Sequence, residues 1–99
     1  MNQQVTEAKR DYARRELERL LRRAALHVDH RARLQPLADK MGVRLDRIRL
    51  SINRGYLSKP LCKLVEFISA NDVTVSMLDA VSIPAPPRGR PGRKDDDVL

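Results

Sequence analysis

Leu37-Ala38-Asp39-Lys40-Met41-Gly42-Val43, followed by Ile48, is the stretch whose reading decides the fold. An alanine, a glycine four residues later and a β-branched residue six after that describe two short helices packed at a sharp angle. Ala38 lets the second helix approach closely, and Gly42 takes the positive φ of a tight interhelical turn without a Cβ penalty. Leu37, Met41, Val43 and Ile48 then point into a shared core. A unit of this kind can lay its second helix in a DNA major groove.

The chain has 99 residues, enough for one small domain with tails, and a core of that size gains from dimerisation. Its 20 Lys and Arg outnumber 13 Asp and Glu, for a formal charge of +7. Most of these cations are arginine, whose planar fork suits phosphates and guanine edges better than an ammonium does. The balance favours a polyanionic partner, against the plainer reading of charge kept for solubility. Cys62 stands alone, which excludes an intrachain disulfide or a cysteine metal cluster and fits a reducing cytosol. No apolar run approaches the ~20 residues of a membrane span, and Met1-Asn2-Gln3-Gln4 lacks the basic-then-apolar order of a signal peptide.

Outward from the central stretch, residues 6–28 read as one long helix with Thr6 as N-cap. Ala8, Tyr12, Ala13, Leu17, Leu20, Leu21, Ala24 and Val28 recur at three- and four-residue steps. Its remaining surface mixes charges, with Asp11 and Arg15, and Glu18 and Arg22, in i,i+4 register. Such a helix is ~34 Å long, so its N-terminal half is free to pair with a second subunit or lie along phosphates. A polar stretch, 29–35, precedes a short helix, from about 36, with Pro36 in its first turn and Gly42 at its end. The second helix of the pair spans about 45–53, a fourth about 60–70 with Leu61, Leu64, Val65 and Ile68 inward, and a last one, capped by Thr74, runs to about Ser82.

From Ile83 onward the composition shifts. Residues 83–99 hold four of the six prolines and two of the four glycines, and read as a tail too poor in apolar residues to order itself. One local signal opposes the helical reading. Arg47-Ile48-Arg49-Leu50-Ser51-Ile52-Asn53 alternates polar and apolar, as a strand would, and a basic strand before two helices describes a ribbon-helix-helix dimer. Helix is preferred because Ile48 and Ile52, four apart, share one helical face and because a strand leaves 37–43 unexplained.

Over roughly residues 8–82 the chain resembles the Cro/lambda-repressor-like (Xre-type) helix-turn-helix family. Ala38-Asp39-Lys40-Met41-Gly42 is similar to that family's second helix and turn, Ile52-Asn53 to the end of its third helix, and Ala70 to Leu78 to its fourth-to-fifth helix passage. The resemblance implies an all-α, five-helix domain and a homodimeric transcriptional regulator of phage or bacterial type, such as a repressor. The departures are specific: Ser51 stands where the family prefers an apolar residue, Gln35 lies one residue nearer Ala38 than expected, and one extra residue, placed at Arg54, follows the third helix.

On that reading the outward face of the second helix of the pair supplies base contacts from Arg44, Leu45, Asp46, Arg49, Leu50 and Asn53. Arg49 is the first choice for guanine O6 and N7, with Arg44 next, Leu45 suits a thymine methyl, and Asp46 either caps the helix or pairs with Arg47 or Arg49. Gln35, Lys40, Arg47, Arg54 and Lys59 flank the unit as phosphate contacts. In the tail, Pro87-Arg88-Gly89-Arg90-Pro91 resembles an AT-hook core. Arg88, Gly89, Arg90 and Pro91 would enter a narrow A·T-rich minor groove and Arg93 and Lys94 hold phosphates, the alternative being a plain soluble linker.

His27 and His30, three residues apart, are too few donors for a metal site, and Cys62 reads as packing. No catalytic constellation or phosphate-binding glycine loop is present in the sequence, and no cofactor or small-molecule ligand is implied. Two other readings remain: an architectural protein coating A·T-rich DNA through its tail, and a protein-interaction adaptor or anti-repressor using the long first helix.

Overall fold

Between Ala13 and Ala25 the recurrence of small and branched apolar residues builds a continuous buried stripe. Ala13, Leu17, Leu20, Leu21, Ala24 and Ala25 are all buried. In a computed structural model, which describes residues 2–83, this stripe belongs to the first of five helices: α1 (Asn2–Ala25), α2 (Leu34–Met41), α3 (Leu45–Arg54), α4 (Lys59–Ile68) and α5 (Val75–Val81). The fold is all-α, with no strand among the described residues. The spine is α1, which packs against each of the other four helices. Against it α2 also meets α3 and α4, α5 closes on α4, and α3 packs on α1 and α2 alone.

The central stretch behaves as its spacing requires. Leu37 and Ala38 are fully buried, Met41 and Ile48 nearly so, and Val43 packs at the core edge. Gly42 sits at φ 76°. Its N–H donates to the Asp39 carbonyl and that of Val43 to the Ala38 carbonyl, so the left-handed glycine satisfies the orphan carbonyls that end α2. Gly55 ends α3 in the same way at φ 89°, with the N–H groups of Gly55 and Tyr56 turned back on Ile52 and Ser51. Two equivalent stops, thirteen residues apart in sequence, set the length and direction of α3.

The strand alternative over residues 47–52 is overturned. Ile48 and Ser51 are buried, Ile52 is half-buried and Leu50 is exposed, a helical period rather than an alternating one. Ser51 takes its inward place because its hydroxyl donates to the Arg47 carbonyl at 3.0 Å, so no polar group is left unpaired. Arg54 is the last residue of α3 rather than an insertion after it, so the helix runs one residue beyond the expected Asn53.

Several boundaries also differ from expectation. α1 extends through Thr6 to Asn2 and stops at Ala25, where Asp29 takes over. Its carboxylate accepts from the backbone N–H groups of Arg31 and Arg33 and from the Arg33 guanidinium, organising the polar link. α2 starts at Leu34, two residues before the expected start, with Pro36 in its first turn as expected. Ala8 and Tyr12, expected on the buried stripe, are exposed and border an open hollow with Ala80, Val81 and Ile83 at the end of α5. Asp11 pairs with Arg14 at 3.3 Å instead of Arg15, whereas Glu18 and Arg22 pair as expected at 2.9 Å.

α4 opens on Lys59 with Pro60 in its first turn and buries Leu61, Cys62 and Val65, while Leu64 stays at the surface. Thr74 caps α5 as expected, accepting from the Met77 N–H at 3.1 Å. The folded unit ends later than the composition shift implied. Ile83 donates its N–H to the Gly55 carbonyl at 2.9 Å and lays its side chain over Gly55. Residues 84–99, including Arg88, Gly89, Arg90, Pro91, Arg93 and Lys94, lie outside the described residues.

Candidate nucleic-acid interface

The burial of Ile48 and Ser51 turns the opposite side of α3 outward. Arg44, Asp46, Arg47, Arg49, Leu50 and Asn53 are all exposed there, and Leu50 is 56% exposed although apolar. Leu45 departs from expectation: it packs partly against the core, because it lies one turn before Ile48 and Ile52 on their side of the helix. The exposed apolar side chain on the outward face is therefore Leu50 rather than Leu45. Arg44 occupies the N-cap position in extended conformation and makes no capping bond, which leaves the first N–H groups of α3 without a side-chain partner. Asp46 neither caps α3 nor takes part in an ion pair among the described residues, so the pairing expected with Arg47 or Arg49 does not form.

Some cations are compensated and others, Lys9, Arg10, Arg15, Arg31 and Lys63 among them, take part in no ion pair among the described residues. Arg14, Arg19 and Arg22 pair along α1 with Asp11, Glu16 and Glu18, Arg23 with Asp72, Arg33 with Asp29, and Lys59 with Asp79. Among the described residues no ion pair involves a side chain of α2, the turn or α3. Lys40, Arg44, Arg47 and Arg49 thus gather on one unit with Asp39 and Asp46 as the acids among them. Uncompensated cations on a convex helical surface lower the free energy of a nearby polyanion more than the same number held in pairs.

The expected phosphate contacts divide along the same line. Lys40 and Arg47 are exposed and unpaired among the described residues. Gln35 donates its amide to Asp39 at 3.0 Å along α2. Arg54 stacks its guanidinium over the Tyr56 ring, 4.3 Å from the centroid, and donates to the Tyr56 carbonyl. Lys59 bridges to Asp79 at 3.0 Å and tethers α4 to α5. Of the five, Lys40 and Arg47 are the two whose charged ends are uncommitted.

Tertiary packing adds residues that no local signal marked. A groove of about 520 Å³ runs between α1, the start of α2 and α3, bringing Arg22, Arg33, Gln35, Arg49 and Asn53 to one surface with Glu18. Arg22 and Arg33 enter it from elements distant in sequence from α3, which is why spacing within α3 was blind to them. Arg14 reaches from α1 to the Asn53 carbonyl at 3.1 Å and supports the C-terminal end of α3. On the other flank Val43, Arg44, Asp46, Arg47 and Leu50 border a smaller hollow, of about 350 Å³, beside Gly42.

His27 is engaged with the Asp72 carboxylate, at 3.2 Å. Cys62 is buried, its Sγ 3.8 Å from the Leu57 carbonyl, and burial pushes its thiol up to about 11. Among the described residues no helix is long and apolar enough to cross a membrane. In comparisons with known proteins, no family model, curated protein or solved structure matches the chain.

Proposed function

We propose that the protein is a sequence-specific DNA-binding transcriptional regulator of the Cro/lambda-repressor-like type, a homodimeric repressor that reads the major groove with α3. The observation that carries this reading is that Lys40, Arg44, Arg47 and Arg49 lie together on α2, the turn and α3 with no ion pair among the described residues, whereas Arg14, Arg19, Arg22, Arg23, Arg33 and Lys59 are held by acids. The glycine-turned helix pair supports it, because it leaves an outward face of α3 that packs on nothing. On that face Arg49 and Arg44 donate to guanine O6 and N7, Leu50 meets a thymine methyl, and Asn53 suits an adenine edge. Lys40 and Arg47 hold phosphates, aided by uncapped N–H groups at the start of α2 and α3.

A two-fold dimer would present two such helices to half-sites about one helical turn, ~34 Å, apart. Selection of duplexes from a random pool by the full chain tests the reading. The expected product is a pseudo-palindrome, and Arg49→Ala relaxes one position of each half-site by roughly 1–3 kcal/mol while the melting temperature stays put. Equal affinity for every duplex would end the proposal.

A further inference from the structure

The groove between α1, the start of α2 and α3 has an apolar wall as well as a charged rim. Leu45, Arg49 and Asn53 follow at i, i+4 and i+8 along one edge of α3, with Ile52 beside them, so this edge turns both apolar and polar side chains to the groove. Leu45 and Ile52 are only half-buried, and with Leu34 they line a space of about 520 Å³. That volume falls within the ~300–1,000 Å³ of small-molecule sites. Sugar and phosphate, which a duplex presents along its flanks, have no flat apolar surface to lay on such a wall.

The rim is cationic and already braced. Arg22 donates from Nε to Glu18 at 2.9 Å and from Nη1 to the Ala32 carbonyl at 3.2 Å. Arg33 donates from Nε and Nη2 to Asp29 at 3.1 and 3.0 Å. Both guanidiniums are thereby held in place, with Nη2 of Arg22 and Nη1 of Arg33 uncommitted among the described residues. Arg49 takes part in no ion pair among the described residues, and the acid of the lining, Glu18, is already bound to Arg22. Donors fixed in advance lose little side-chain entropy when an anion arrives, and the guanidinium fork matches a carboxylate or phosphate.

We propose that this groove is an effector site for a small amphipathic anion, its carboxylate or phosphate head held by Arg33 and Arg49 and its flat apolar body laid on Leu34, Leu45 and Ile52. No single segment of the sequence implies such a ligand, because the groove exists only once α1, α2 and α3 have packed. Arg49 is also the residue proposed to donate to guanine, so an occupied groove withdraws it from DNA and lowers affinity for the selected site. That coupling rests on the major-groove reading of α3, whereas the groove itself does not. By linkage the anion and the duplex weaken each other's binding by the same factor.

The test titrates the full chain by calorimetry with three probes that share one body: naphthoate, naphthyl phosphate and the neutral naphthylmethanol. At least one anion should saturate the chain below about 5 mM and bind about tenfold tighter than the alcohol, and the tighter of the two anions identifies the head group. Arg49→Gln, on an exposed helix face, should weaken that anion about tenfold, as should Arg33→Gln. Lys63→Gln, which removes a charge outside the groove, should leave it unchanged. At constant salt a saturating anion should weaken binding of the selected duplex about tenfold. No saturation by either anion, equal binding of the alcohol, or binding that survives Arg49→Gln overturns the site. Anion binding that leaves duplex affinity unchanged overturns the effector role. Anion binding by a chain that shows no sequence preference for DNA overturns the α3 reading, and the groove stands.

Discussion

Arg23 and Asp72, 49 residues apart, form a two-pronged ion pair, with Arg23 Nη2 2.7 Å from Oδ1 and Nε 3.0 Å from Oδ2. The pair staples the last turns of α1 to the link between α4 and α5, and His27 Nε2 lies 3.2 Å from the same Oδ2. Hydrogen bonds from Arg23 first and His27 second hold the Asp72 carboxyl down to about 2. Asp29, bonded by Arg33, is also held below the usual carboxylate range.

A depressed folded pKa means that unfolding takes up protons in acid. The stability contributed by Asp72 is complete above the ordinary carboxylate value near ~4 and drains away as pH falls toward about 2. Asp72→Asn should lower the urea midpoint at pH 6 and flatten its decline between pH 4 and 2, leaving the share due to Asp29. Parallel acid declines for the two proteins would contradict the assignment.

Gly42 and Gly55 both hold left-handed φ, yet substitution should separate them. A Cβ at Gly42 meets nothing within 4 Å, so Gly42→Ala carries conformational strain alone, about 1–2 kcal/mol. Gly55→Ala adds the collision with Ile83 and should cost more, by chemical denaturation. Equal losses would mean that Ile83 yields freely and is no anchor.

Cys62 should be inert in the folded chain. Burial raises its thiol, the charge of Asp79 adds to the rise, and Lys59 opposes it. At pH 8 a disulfide reagent such as dithionitrobenzoate should label the protein only on unfolding, with urea restoring the rate of an ordinary cysteine. Rapid labelling without denaturant would refute the buried placement.

Salt dependence should distinguish positioning cations from reading ones. Lys40→Ala and Arg47→Ala are each expected to weaken binding alike across sequences and to reduce the slope of log K against log salt by about 1. Lys59→Ala, already committed to Asp79, should leave that slope almost unchanged. A full-unit change for Lys59 would place α4 in the phosphate contact.

Local rules were sufficient for much of the molecule. Leu37, Ala38 and Gly42 specify a turn because burial, close approach and positive φ are demands on single residues, and Thr74 caps α5 by a bond within its own turn. The outward positions of Arg44, Arg49 and Leu50 follow from 3.6-residue periodicity once Ile48 is inward. By itself, then, the sequence determined the helix pair, the all-α class and most of the exposed face of α3.

Which of those side chains stay free was a tertiary decision. Lys59 found Asp79, Arg23 found Asp72, and Arg22 and Arg33 came to border α3 across a groove. Ile83 joined the domain although the composition around it reads as tail, because a glycine 28 residues earlier left a surface bare enough to receive it. These contacts depend on distances between elements far apart in the chain, and periodicity within one helix carries no information about what a neighbouring helix brings to it.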